Sequence, residues 1–386
     1  MLRANVWKQR WAATSVALLA GIALAACGPP APAASVTAVT LGNTGAFGNG
    51  TSNTVMASQD GNLVAFLSGS SDLVAGDTNG VEDVFLRNVS AGTTVRIATS
   101  TPLALMRLHR ISANGRYVSI LRMTPSTYDW FVYDTTTGVT TPMPSSIPNQ
   151  PFEAITDSGL TAVLGTNGNG VTGGGCALAD LATQTGRPCD TTGTNNVLVA
   201  VSANGEYMLV RSVAAGNIQE AVIEVATGNR VAVNLALSGG LANTAYRKLS
   251  NDGTKILISH PQVPAGVYDV ASATFAPLPG STPNGLTWIL DISSDGNLVA
   301  VVSKATNLGP LDTNVEFDTY IWNRSAGTIS RITPDIVSNL TPGQGRNIDV
   351  RASLILANAT RLLDVTIHPY LAADTTPSFD GYLLPI

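Results

Sequence analysis

A short turn signature, Ser-x-Asp-Gly or a close variant, recurs along this chain and limits its fold more than any other feature. It reads SQDG at 58–61, SANG at 112–115, TDSG at 156–159, SANG at 202–205, SNDG at 250–253 and SSDG at 293–296. Successive glycines stand 54, 44, 46, 48 and 43 residues apart. Asp-Gly or Asn-Gly between apolar runs reads as a two-residue hairpin with positive φ at both central positions. The Ser or Thr two residues before is placed to hydrogen-bond the turn backbone.

Each turn leads into a run with the form of a strand: NLVAFLS, RYVSILR, LTAVLGT, EYMLVRS, TKILISH and NLVAVVS. After a loop comes a third strand, such as EDVFLRN or FDTYIWN. A second small turn (SAG, TTG, ATG, SAT, SAG) then leads to a fourth, such as TTVRIAT or TISRITP. With the strand before each turn, the unit is four antiparallel strands in about 45 residues, the size of one propeller blade. Only 12% of residues are charged while Gly (37) and Pro (21) are plentiful, which suits short strands and tight turns rather than long helices.

A seventh unit is degraded. NIDVRASLILAN aligns with LDISSDGNLVAVVS when Ala352 takes the place of Gly296, and the unit ends at DGYLLPI without a fourth strand. An orphan strand, SVTAVTLG at 35–42, resembles the fourth strands. The sequence therefore predicts an all-β, seven-bladed β-propeller of four-stranded antiparallel blades, with six blades as the alternative. The N-terminal strand is expected to pair with the strand near Gly381–Pro385 and close the ring. The units at Gly61, Gly115, Gly205, Gly253 and Gly296, with their Asp-x-Phe and Thr-Gly elements, resemble the TolB-like, WD-type propeller repeats of bacterial periplasmic proteins. The usual Pro of Ser-Pro-Asp-Gly is replaced in every copy. This resemblance implies a fold and leaves function open, because propellers host unrelated activities.

The N-terminus has Arg3, Lys8 and Arg10 ahead of the apolar run AATSVALLAGIALAA, the layout of a secretory signal. That run is short for a bilayer span. It ends in LAAC, Leu24–Cys27, which resembles the bacterial lipobox. The resemblance implies cleavage before Cys27, acylation of its thiol and a firm lipid anchor, since each buried methylene contributes about 0.8 kcal/mol. Residues 1–26 then form the signal peptide, 27–34 the lipidated Cys and linker, and 35–386 the propeller. With Gly28 after the Cys, a Gram-negative host would place the protein at the outer membrane. Loss of the signal removes three cations and no acid, leaving the mature chain more acidic than the net −5 of the whole. An acidic exported protein is a poor partner for nucleic acid.

Two cysteines remain, Cys176 and Cys189, and in an exported protein they are expected to form a disulfide rather than half a metal site. The loops joining second and third strands contain two Asp-Thr-Asn segments: Asp77, Asn79 and Asp83, and Asp312, Asn314 and Asp318. Their oxygens resemble part of a calcium loop but lack the terminal bidentate Glu. Asx-turns shaping the blade edge are the plainer account, and no metal or cofactor is expected. No Gly-x-Ser-x-Gly elbow occurs, and only three histidines exist. The first strands carry Arg107, His109, Glu153, Arg247, Asp291 and Arg346, candidates for a ligand site in the channel. Together these features describe a monomeric, lipid-anchored envelope protein that binds a protein, peptide or glycan through its rim or channel. The alternative is a carbohydrate-active hydrolase or lyase on the same scaffold.

Overall fold

A computed structural model describes residues 37–144, 152–159, 161–165, 176–191, 194–214, 217–233, 246–260, 263–279, 283–309, 318–332, 354–355, 361–366 and 380–385. Cys27, Ala352, Arg346, Asp312 and Asn314 lie outside these residues.

After a short strand β1 (Thr37–Ala38), the first blade is β2 (Ser52–Ala57), β3 (Leu63–Ser68), β4 (Asp83–Asn88) and β5 (Thr93–Ala98). The second is β6 (Leu105–Ile111), β7 (Tyr117–Met123), β8 (Tyr128–Asp134) and β9 (Thr140–Pro142). The third is β10 (Phe152–Ile155), β11 (Thr161–Gly165), β12 (Cys176–Asp180) and β13 (Thr185–Pro188). The fourth is β14 (Thr194–Val201), β15 (Tyr207–Ala214), β16 (Asn217–Glu224) and β17 (Arg230–Val233). The fifth is β18 (Tyr246–Leu249), β19 (Lys255–His260), β20 (Val263–Asp269) and β21 (Thr274–Pro277). The sixth is β22 (Thr287–Ile292), β23 (Leu298–Ser303), β24 (Asp318–Asn323) and β25 (Thr328–Arg331). In each, consecutive strands are antiparallel neighbours.

The remaining strands, β26 (Leu354–Ile355), β27 (Arg361–Thr366) and β28 (Asp380–Pro385), form a sheet with β1 in the order β1-β28-β27-β26. Where seven blades were expected, with six as the alternative, the chain builds six blades from consecutive strands and one composite sheet from its two ends. β1 pairs Thr37 with Leu383 and Ala38 with Tyr382. Among the described residues, the pairing ends at Ala38, short of the predicted end at 42. Beyond Ala38, the chain leaves β28 and runs to the first blade, where Thr94 N–H donates to Asn43 Oδ1 at 2.7 Å and Asn43 Nδ2 donates to Thr94 O at 2.9 Å.

The blades bury both faces, which explains why their second strands are continuously apolar rather than alternating. On β3, Val64 and Phe66 pack with Leu383 of the composite sheet and with Val39, just past β1. Ala65 and Leu67 face the other way, onto Leu108, Val118 and Ile120 of the second blade. The same two-sided packing continues through Tyr117 with Ile155, Leu178 with Met208, Leu209 with Ile256, and Leu257 with Val299. It returns to the composite sheet where Leu298, Ala300 and Ile321 meet Ala38 and Tyr382. Burying a Leu, Ile or Phe side chain contributes about 1.5–3 kcal/mol, so each blade depends on both neighbours.

The signature turn differs from the predicted two-residue hairpin. Only its glycine has positive φ: 70° at Gly61, 75° at Gly115, 74° at Gly205. Gly61 N–H donates to Ser58 O at 2.9 Å and Ser58 N–H to Leu63 O at 2.8 Å, so four residues, 59–62, form the connection. The Ser58 hydroxyl donates to Asp60 Oδ1 at 2.5 Å and accepts from Leu63 N–H at 3.0 Å, while Asn62 N–H donates to Asp60 Oδ1 at 3.0 Å. The pattern repeats at Ser112–Asn114, Ser202–Asn204, Ser250–Asp252 and Ser293–Asp295. The Ser293 hydroxyl holds the Asp295 carboxyl below its usual range.

The turn glycine has a second duty. A Cβ on Gly205 would lie 2.6 Å from Ile155 O of the preceding blade, and one on Gly159 would lie 2.1 Å from Tyr117. Gly228, with a similar φ of 76°, has nothing within 4 Å. Gly228→Ala should therefore cost only the left-handed backbone penalty, about 1–2 kcal/mol. Gly205→Ala should cost about 2–5 kcal/mol, because blade contact is lost as well. Chemical denaturation of both variants checks this; equal costs would show that the glycine serves the turn alone.

Candidate functional site

The first strands of the blades border the axis. At its turn end, Ala57, Gln59, Ile111, Ala113, Ala203, Lys248, Leu249, Asn251, Asp291 and Ile292, from five blades, enclose a cavity of about 40 Å³. Polar contacts between successive turns close this end. Gln59 N–H donates to Ala113 O at 2.7 Å, Asn114 N–H to Asp157 Oδ1 at 2.9 Å and Asn204 N–H to Asn251 Oδ1 at 3.2 Å. Gln59 Nε2 and Asn251 Nδ2 both reach Ser294 Oγ. Burial raises the pKa of Asp157, and burial together with the Asp157 charge raises that of Glu206.

The predicted channel residues divide into two groups. Arg247 is buried and donates to Glu220 Oε2 at 2.5 Å, while Arg211 binds Glu220 Oε1 at 2.7 Å, an ion triad joining the fourth and fifth blades. Asp291, 2% exposed, pairs with Lys248 Nζ at 2.6 Å between the fifth and sixth blades. Glu153 takes the Arg110 guanidinium at 3.3 Å between the second and third. Arg107 remains at the surface, with its side chain 40% exposed and bound to Glu82 Oε2 at 2.6 Å. Glu82 also accepts from Asn53 Nδ2 at 2.6 Å. His109 fills the β-bulge between Leu108 and Arg110, edge-on to the Trp130 ring at 4.9 Å, with Nδ1 buried and unbonded.

The calcium candidates of the first blade are bonded within the protein. Arg96 Nη1 lies 2.9 Å from both Asp77 Oδ1 and Asp83 Oδ2. Asn79 Nδ2 donates to Asp83 and to Ser100 O, and Asn79 Oδ1 accepts from Val81 N–H in an Asx-turn. The carboxylates are thus neutralised by a guanidinium, and the Asn presents its amide donors to Asp83 where a cation would need oxygen. In the sixth blade, Arg331 stands 3.7 Å from Asp318. Asp83 to Arg96 and Asp318 to Arg331 have the same separation, a repeat signal that sequence reading passed over. Among the described residues, no group of three or more His, Cys, Asp or Glu is arranged to hold a metal ion. Cys176 and Cys189 form a disulfide, with 5.5 Å between their Cα atoms, in the third blade.

No family model matches the chain, and no curated protein matches it. Among solved structures, an oligogalacturonate lyase in complex with manganese aligns with TM-score 0.50 at 11% identity, over 91% of this chain and 90% of that one. A prolyl endopeptidase aligns with TM-score 0.54 at 10% identity, over 87% of this chain and 50% of that one, so this chain spans half its length. TolB from Acinetobacter baumannii aligns with TM-score 0.37 at 14% identity, over 79% and 76%. At these identities the first two likenesses show the fold alone. The protein is a β-propeller of four-stranded antiparallel blades.

His109 generates a pH prediction. Burial, with the neighbouring Arg110 charge, pushes its pKa from 6.5 down to about 4. The folded form thus holds a neutral imidazole where the unfolded chain takes up a proton, so folding loses stability as pH falls from about 6.5 to about 4. Asp157 and Glu206, with raised values, act in the opposite sense. His109→Asn isolates the first contribution. The melting temperature of the wild type should fall relative to this variant across that window, and a constant difference would contradict the burial account.

Proposed function

We propose that this protein is an exported, lipid-anchored binding module of the cell envelope, with its propeller holding a protein, peptide or glycan rather than transforming one. The observation that carries this reading is the mutual neutralisation of the charges bordering the axis. Arg110–Glu153, Arg247–Glu220 and Lys248–Asp291 each join two blades, so among the described residues the inner strands are stapled rather than equipped with a free acid–base pair. In this reading the composite sheet counts as the seventh blade and residues 35–386 act as one domain. The Cys176–Cys189 disulfide suits an oxidising compartment, in agreement with the signal-like N-terminus and the lipobox-like Cys27.

Export, anchorage and binding are separable by experiment. In a bacterial host the wild type should incorporate labelled palmitate and fractionate with membranes. Cys27→Ser should do neither, and equal labelling of the two would sink the anchor. Purified protein incubated with envelope polysaccharide should release no new reducing ends or unsaturated sugars. Release of either, at a rate proportional to protein, would support the carbohydrate-active alternative.

A further inference from the structure

A cavity of about 360 Å³ opens at the turn end between the outer strands of the second and third blades. Its floor is Tyr117 and Val132, 9% and 4% exposed. Its walls are Val139, just after the turn at Gly138, and Leu181 and Ala182, from the corresponding turn of the third blade. Val139 is 57% exposed, an apolar side chain at the rim. The walls are preformed, because Leu181 packs on the cluster that holds Tyr117, Val132 and Ile155. A volume of this size falls within the range of about 300–1,000 Å³ that ligand sites occupy.

Asp134 and Thr137, which face this cavity, are bonded already. Asp134 Oδ1 accepts from Thr136 N–H at 2.8 Å and Thr137 N–H at 3.2 Å, and Oδ2 accepts from Arg116 Nη2 at 3.0 Å. Thr137 Oγ1 accepts from Val139 N–H at 3.3 Å. A sugar would press hydroxyls against Val139, Leu181 and the Tyr117 ring and leave them without partners. An aromatic side chain buries its faces there and meets Tyr117 edge-on or offset. β9 is the outermost strand of its blade, but Pro142 lacks the N–H that a further strand would need, so recognition falls to an anchor side chain rather than to strand addition.

Charge at the rim selects the neighbours of that anchor. Asp134 lines the cavity, Asp180 precedes Leu181, and Asp157 stands two residues before the lining Gly159, with Glu206 near it. Against these acids stand Arg116, paired with Asp134, and Arg187, which acts on Asp180. The excess is negative, so cations beside the anchor are attracted and anions repelled. We propose that this cleft is a peptide-docking site that takes an aromatic side chain flanked by Lys or Arg from a partner protein. The inference names the partner class within the binding reading above and rests on it.

The test uses the full-length protein in phosphatidylcholine nanodiscs, with empty discs as the blank. Two peptides, acetyl-Lys-Phe-Lys-amide and acetyl-Glu-Phe-Glu-amide, each with fluorine on the Phe ring, are titrated and read by fluorine NMR. The Lys-flanked peptide should shift and broaden. The Glu-flanked one should bind at least about threefold more weakly at low salt, and the gap should close as salt is raised. Excess acetyl-Lys-Ala-Lys-amide should not displace the first peptide. Ala182→Trp fills the cleft from an exposed turn position and should weaken binding about tenfold or more, with the melting temperature within a degree or two of wild type. Val139→Lys should weaken the Lys-flanked peptide more than the Glu-flanked one. Binding of neither peptide, equal or tighter binding of the Glu-flanked one, displacement by the Ala peptide, or indifference to Ala182→Trp would overturn the proposal. None of these results bears on the release of sugar ends, the separate measurement by which the binding reading itself fails.

Discussion

A blade of this protein has two apolar faces and can bury neither without a neighbour. Val64 and Phe66 of one strand point to one side, Ala65 and Leu67 to the other, and all are buried. That constraint makes a row of blades unstable unless the row returns to its start. The composite sheet performs the return: Val39 and Leu383 pack on the first blade, Ala38 and Tyr382 on the sixth. Everything else in the molecule, including the convergence of first strands on an axis, depends on that closure.

The polar groups add register to a contact that apolar packing alone leaves free to slide. The turns at Gly115, Gly205, Gly253 and Gly296 are each closed by their own side chains and pressed against the blade before them at the glycine. The ion pairs Arg247–Glu220 and Lys248–Asp291 fix the same interfaces nearer the axis. A buried pair of this kind contributes little beyond an apolar isostere, but removing one partner costs several kcal/mol, so such pairs specify one alignment of blades. The acidic loop of the first blade obeys the same rule, with Arg96 locking Asp77 and Asp83 in place.

Much of this was legible in the sequence, because each turn announces itself in four residues and recurs at blade length. The strands after Gly61, Gly115 and Gly296, the disulfide and the meeting of the two chain ends all come from such local signals. The turn conformation did not, because Asp-Gly fits two connections and the choice between them depends on the Ser58–Leu63 contacts. The roles of Arg247, Asp291 and Asp83 were hidden for a different reason. Their partners, Glu220, Lys248 and Arg96, lie on other strands or other blades, and only a folded ring sets the distances.

Ring closure by the N-terminal strand is the claim on which the account stands, and thermal unfolding of two truncations tests it most directly. Deleting residues 35–42 removes Ala38, Val39 and Thr40, all buried, and opens the composite sheet toward both neighbours. The account predicts a large fall in melting temperature and aggregation of the exposed blade faces for this deletion, and little change when only residues 28–33 are removed. Two truncations that both melt like the full mature protein would contradict it.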